Sequence, residues 1–126
     1  MDAFCEGILT YIKNENDIDK IIALTLRDIY LNELIYIAYT DKWMKYNIST
    51  KKWSSFDPNE FIFKMQSIKK FFSLILSNFI NKGGDYSEIE RFYINKEISH
   101  LCNYIDKYFS KEDFLKICRR YFSVSS

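Results

Sequence analysis

The chain has 126 residues, 48% hydrophobic and 18% aromatic, with 11 Phe and 10 Tyr. That length fits a single domain spanning 1–126, and the rings supply bulky core material that needs no disulfide staples. A net charge of +1 excludes bulk attraction to nucleic acid, so any such contact has to come from local clustering.

Clustering is present. Residues 1–33 carry seven acids and three bases, a net of −4, and residues 34–82 carry eight lysines and three acids, a net of +5. Residues 83–126 balance at seven of each. No apolar run reaches the roughly 20 residues of a membrane-spanning helix. The strongest, Phe71 to Ile80, is broken by Ser73, Ser77 and Asn78 and flanked by Lys69, Lys70 and Lys82. The amino terminus has no basic region followed by an apolar one, so no secretion signal is expected, and the glycosylation match Asn47-Ile48-Ser49 reads as chance. Cys5, Cys102 and Cys118 are odd in number and far apart, which suggests a reduced, intracellular setting and small apolar side chains near a core.

In chain order, residues 2–13 read as a first helix with Phe4, Ile8, Leu9 and Ile12 on one side, weakened by Gly7. Asn16 or Asp17 caps a second helix over 17–31, whose stripe is Ile18, Ile21, Ile22, Thr25, Leu26 and Ile29. After Asn32 the pattern changes. Residues 34–39, 43–46 and 53–56 are rich in β-branched and aromatic side chains, with polar turns between them, and predict a small β-hairpin or three-stranded meander over 34–56. Asp57-Pro58-Asn59-Glu60 has the form of a helix start: Asp57 caps, Pro58 takes the first helical position and Glu60 reaches back. The helix is expected to run to Lys82 on a stripe of Phe61, Met65, Ile68, Phe72, Ile75, Leu76 and Phe79, ending at Gly83-Gly84. A helix from Ser87 to Phe109 follows, with Ile94, Ile98, Leu101, Ile105 and Tyr108 inward. Ser110 caps a last helix, with Phe114, Leu115, Cys118, Tyr121 and Phe122 inward, and Ser123 to Ser126 read as a frayed end or a cut linker. The fold class is therefore mainly α, about five helices around one core with a small inserted β-hairpin.

Catalytic signatures are scarce. Gly83-Gly84 is followed by Asp85 and Tyr86, not by the Lys and Ser/Thr of a phosphate loop. His100 is the only histidine and reads as a surface residue, since a metal site needs further ligands. Asp17 with Asp19, and Glu88 with Glu90, are carboxylates at spacing two, which a helix points apart, so both pairs read as solvated. No catalytic residue, metal or cofactor is expected, and the chain is read as a binding or assembly module and not an enzyme.

One zone stands out. Lys42, Trp43, Lys45, Lys51, Lys52 and Trp53 put both tryptophans and four lysines within a dozen residues. Lysines hold phosphates and exposed rings stack on bases; alternatively, both indoles pack the hairpin and the lysines only solubilise its turns. A second basic cluster, Lys116, Arg119 and Arg120, lies on the last helix, where it also complements the helix dipole.

Ala23 and Tyr30 in the second helix, Trp43, Tyr46 and Trp53 in the hairpin, and Cys118 and Phe122 near the end form a pattern spanning about 17–122. It resembles the domain preceding the superfamily-3 helicase in poxvirus-type primase–helicases of viruses, phages and mobile elements. The glycine often found between the two hairpin aromatics of that family is absent, and Ser49-Thr50-Lys51 fills the turn. The resemblance implies a noncatalytic module of DNA replication, in the cytoplasm or at a viral replication site, either cut from a larger protein or standing alone. It would engage DNA without reading its sequence, or a helicase or primase domain, and would self-assemble. Its contacts would come from Lys42, Trp43, Lys45, Lys51, Lys52, Trp53, Arg119 and Arg120. The alternative is a small helical interaction protein, such as a viral regulator, offering a groove along 61–80 to a partner's amphipathic helix.

Overall fold

A computed structural model of the chain describes residues 2–30, 33–82, 85–107 and 109–124. Gly83, Gly84 and Tyr108, to which a helix end and a stripe position were assigned, lie outside the described residues, as does Asn32. In chain order the elements are α1 (Asp2–Asn14), α2 (Ile18–Tyr30), β1 (Leu34–Ile37), β2 (Lys42–Asn47), β3 (Lys52–Ser55), α3 (Glu60–Phe63), α4 (Met65–Lys70), a π-helical segment (Phe71–Leu76), α5 (Ser77–Lys82), α6 (Glu88–Lys107), α7 (Lys111–Phe122) and β4 (Ser123–Val124). The protein is mainly helical with a small β insertion, as its composition and periodicity predict, and the sheet is mixed because a fourth strand joins the meander in parallel. Among the described residues no helix is long and apolar enough to cross a membrane.

The chain divides into two compact units: one of Met1–Ile18 with Phe63–Phe109, the other of Asp19–Ile62 with Ser110–Ser126. In the first, α1 buries Cys5, Ile8, Leu9 and Ile12, and α6 buries Ile94, Ile98, Leu101 and Ile105 at the spacing expected of one helical face. The intervening segment departs from the single helix expected over 60–82. It breaks at Lys64 and widens into π geometry at 71–76. The buried positions supply a reason: Met65, Ile68, Phe72, Leu76 and Ile80 point inward, and the last three recur every fourth residue. In an α-helix each such step drifts by about 40° at 3.6 residues per turn, and one wide turn takes the drift back. Ile75, expected on the stripe, is consequently exposed. Polar links run alongside: Ser77 Oγ to Asn95 Oδ1 at 2.9 Å, Asn95 Nδ2 to Asn81 Oδ1 at 3.2 Å, and Lys69 Nζ to Asp106 at 2.7 Å.

Two helices, α6 and α7, start at side-chain caps. Ser87 Oγ accepts from the Glu90 amide at 3.1 Å while Glu90 Oε1 accepts from the Ser87 amide at 3.2 Å, a reciprocal capping box at the head of α6. Ser110 accepts from the Asp113 amide at the head of α7, as expected. Asp57 behaves differently. Its carboxylate accepts from the backbone and side chain of Asn59, forming a local turn, and helical geometry opens only at Glu60, two residues after Pro58. Asp19, expected in solvent, is buried in the first turn of α2, where the free amide ends of the helix favour a negative charge.

The second unit is organised by its sheet, strand order β3-β2-β1-β4. Strands β1 to β3 form the expected antiparallel meander, with Leu34 opposite Lys45, Tyr36 opposite Trp43 and Tyr46 opposite Trp53. The predicted frayed end is instead a strand: Ser123 and Val124 pair in parallel with Tyr36 and Ile37. Because side chains alternate, Leu34, Tyr36 and Trp43 share one buried face with Phe56. Their rings meet Tyr30 of α2, Phe61 of α3 and Phe122 of α7, and Phe61 in turn meets Phe114 of α7; Trp43 lies 5.4 Å from Phe61 and 5.6 Å from Phe122, edge-on to both. Tyr30 is buried in place of its neighbour Ile29, which was expected inward and is exposed. On α7 Phe114, Cys118 and Phe122 are buried, while Leu115 and Tyr121 are half-exposed.

Truncating Trp43 or Phe61 to alanine is expected to cost about 3–5 kcal/mol, the usual loss for a buried ring. A urea titration checks it, through a lower midpoint at unchanged slope. A second expectation concerns acid. Hydrogen bonds from the Ser87 backbone and side chain hold the Glu90 carboxyl below its usual value of 4.5. A depressed carboxyl stabilises the fold above that value and loses its contribution as pH falls through the folded one. Glu90→Gln keeps the cap geometry without the charge. The difference in Tm between the two proteins should be largest above about pH 4.5 and vanish in stronger acid.

Candidate nucleic-acid interface

Strand alternation divides the hairpin residues between two faces. Every pair in both ladders joins an odd-numbered residue to an even-numbered one, so Trp53 shares a face with Tyr46, Met44 and Lys42, not with Trp43. Trp43 is only 7% exposed and lies among the helix-facing rings. Of its two possible roles it packs, and it is not available to stack on a base. Trp53 is 44% exposed, its indole held 5.2 Å from the Tyr46 ring at an angle of 57°.

The lysines separate in the same way. Lys42 lies exposed on the outer face with Trp53. Lys45 is on the helix-facing side, where its ammonium sits 5.7 Å from the centre of the Tyr30 ring and its stem is half-buried. A cleft of about 310 Å³ beside it is lined by Glu33, Lys45, Tyr46, Asn47, Ile48 and Ser54, one acid and one base among polar groups. Lys51 and Lys52 are exposed at the β2–β3 turn and the start of β3. Of the α7 pair, Arg120 is exposed. Arg119 is half-buried and within electrostatic reach of Tyr36, near the end of the sheet where Lys42 opens β2. Lys42, Lys51, Lys52 and Trp53 are thus exposed on the hairpin, while Trp43 and Lys45 serve the packed side.

Two turns fix these positions. At the first, the Tyr36 hydroxyl donates to the Asp41 carboxylate, and that bond, followed by burial, holds the phenol above its ordinary value. Asp41 adopts a left-handed backbone at φ 53°, which its short polar side chain tolerates. At the second, Asn47 Oδ1 accepts from the amides of Ser49 and Thr50 at 2.9 and 3.3 Å, and Lys51 takes φ 56°. The turn thus takes its left-handed backbone angle at a lysine and not at a glycine. Tyr46, the residue that orients Trp53, was not among the contact residues read from the sequence. The Asn47-to-Lys52 turn, which pairs it with Trp53, is the signal that would have identified it.

The other candidate groups stay apart. His100 is exposed, 3.9 Å from Glu97. Cys5 and Cys118 are buried, Cys102 is half-buried against the Lys69 carbonyl, and burial pushes the thiols of Cys102 and Cys118 up. Among the described residues no three His, Cys, Asp or Glu side chains gather in a way that could hold a metal ion.

A non-glycine residue at positive φ costs about 1 kcal/mol. Lys51→Gly should therefore raise stability by that amount in a urea titration, despite removing a side chain.

Comparison with protein-family models, with curated proteins and with solved structures finds no match to this chain.

Proposed function

We propose that the chain is a noncatalytic DNA-binding and assembly module of the kind that precedes the helicase in viral-type primase–helicases. What supports this reading is the concentration of charge. In a chain of net charge +1, Lys42, Lys51 and Lys52 are all exposed on one small hairpin. Ammonium groups on a short, turn-stabilised ribbon suit phosphates, and they bind by displacing counterions and not by reading bases. Among the described residues no helix carries the dense Arg/Asn face that groove reading requires. The partners of such a module are DNA, a helicase or primase domain, or further copies of the chain.

A different observation supports an interaction module. On α6 Ile89 is 82% exposed, Phe92 74% and Tyr93 53%, at the spacing of one helical face, and Leu74 and Ile75 of the same unit are also exposed. Apolar side chains left in water at helical spacing suit a partner's amphipathic helix. Of the segment 61–80 read as a groove wall, Phe61, Met65, Ile68, Phe72, Leu76 and Ile80 are buried, while Phe63, Leu74 and Ile75 are exposed.

Fluorescence anisotropy with labelled single- and double-stranded oligonucleotides, at low and moderate salt, separates the two. The DNA reading expects salt-sensitive binding that weakens in a Lys51→Glu/Lys52→Glu variant. Its salt slope should fall by about 0.7 to 0.9 for each phosphate that the variant no longer neutralises. Absence of binding at tens of micromolar in low salt would remove the direct DNA role and leave the apolar face of α6 as the surface to pursue.

A further inference from the structure

We infer that the outer face of the sheet is a stacking platform for unpaired bases, so that the DNA held by the hairpin is single-stranded. The inference rests on the DNA-binding reading above and adds which form of DNA is bound and which rings bind it.

The carrying observation is the Trp53–Tyr46 pair. The fold buries one indole, Trp43, and leaves the other 44% exposed on the opposite face, where the tilted Tyr46 ring braces it without covering it. Cations flank the pair. Lys42 lies four residues from Tyr46 along the same strand and face, about 13 Å at ~3.3 Å per residue, and Lys51 stands exposed in the turn at the other end, while Lys52, opposite Asn47, alternates to the other face. A cation, two rings and a cation at the turn match an extended strand, with phosphates on the ammonium groups and a base on the indole. A duplex keeps its base faces stacked inside and offers this indole nothing. A two-stranded ribbon can enter a major groove, but β2 is flanked by both β1 and β3, and its outward partners here are broad rings, not groove-reading Arg or Asn.

The test uses the full chain and three probes of equal length: oligo-dT, a duplex, and a single strand of abasic sites, which has the phosphates without the bases. Oligo-dT should bind more tightly than the abasic strand. Trp53→Ala should weaken oligo-dT binding by roughly five- to a hundredfold, the range for one stacked base, while leaving duplex affinity and the salt slope unchanged. Trp53→Phe, which keeps a ring, should recover most of the loss, and circular dichroism should report an intact fold for both variants. Equal affinity for oligo-dT and the abasic strand, or a Trp53→Ala variant that binds oligo-dT like the parent, overturns the platform. The DNA reading survives that result if the lysine-dependent salt slope remains. No binding to any probe overturns both. A lower sedimentation coefficient of the DNA-free chain on Trp53→Ala assigns the face to a second copy and overturns the platform as well.

Discussion

Packing of the second unit depends on the contact of Trp43 with Phe61. The indole reaches Tyr36 beside it in the sheet at 5.1 Å, Phe56 beyond β3 at 6.4 Å, Phe61 on α3 and Phe122 on α7. Phe61 in turn touches Tyr30 of α2 and Phe114 of α7. Rings offer large area for few rotatable bonds, and edge-to-face pairs prefer particular angles, so a cluster of seven positions the elements that carry it. A four-residue helical turn such as α3 has little intrinsic stability and persists because its one fully buried side chain is in that cluster. The short β4 follows from the same constraint: once Phe122 is seated, the next two residues lie within pairing distance of β1.

Much of this was legible. The meander, the faces of α1 and α6, and the Ser110 cap follow from periodicity and turn chemistry, both local properties. What was not legible depends on register. Trp43 and Trp53 look alike in sequence: each directly follows a lysine in a strand-like run. Their fates differ because the Asn47-to-Lys52 turn pairs Tyr46 with Trp53, and a turn one residue longer or shorter would reverse which side Trp53 occupies. The same parity carried Lys45 to the packed face and left Lys42 outside. Strand β4 could not be read either, since two residues pairing with partners as distant in sequence as Tyr36 and Ile37 leave no local pattern. Asp19 illustrates the limit for charges, because spacing says where a carboxylate points along its helix but not what the helix rests on.

The sheet separates structural from surface chemistry. The helix-facing side has the rings and half-buries Lys45; the outer side has a braced indole and the exposed Lys42. Substitutions on the outer side therefore test binding with little effect on packing. Lys51 is the exception. It combines an unfavourable backbone angle with a charge at the ribbon's tip, so conformational ease and electrostatics pull in opposite directions at that residue.

The π-helical segment of the first unit has a different consequence. A π turn is an α-helix that has accommodated one additional residue. Between Phe71 and Leu76 the chain is therefore one residue out of step with the 3.6 frame that governs α4 before it and α5 after it. A descendant or ancestor lacking that residue could keep Met65, Ile68 and Ile80 facing inward with an ordinary helix. Its sequence would align with this one only across a single-residue gap in the middle of an uninterrupted helical signal. Gaps are rarely placed there, and a common origin would be easy to overlook.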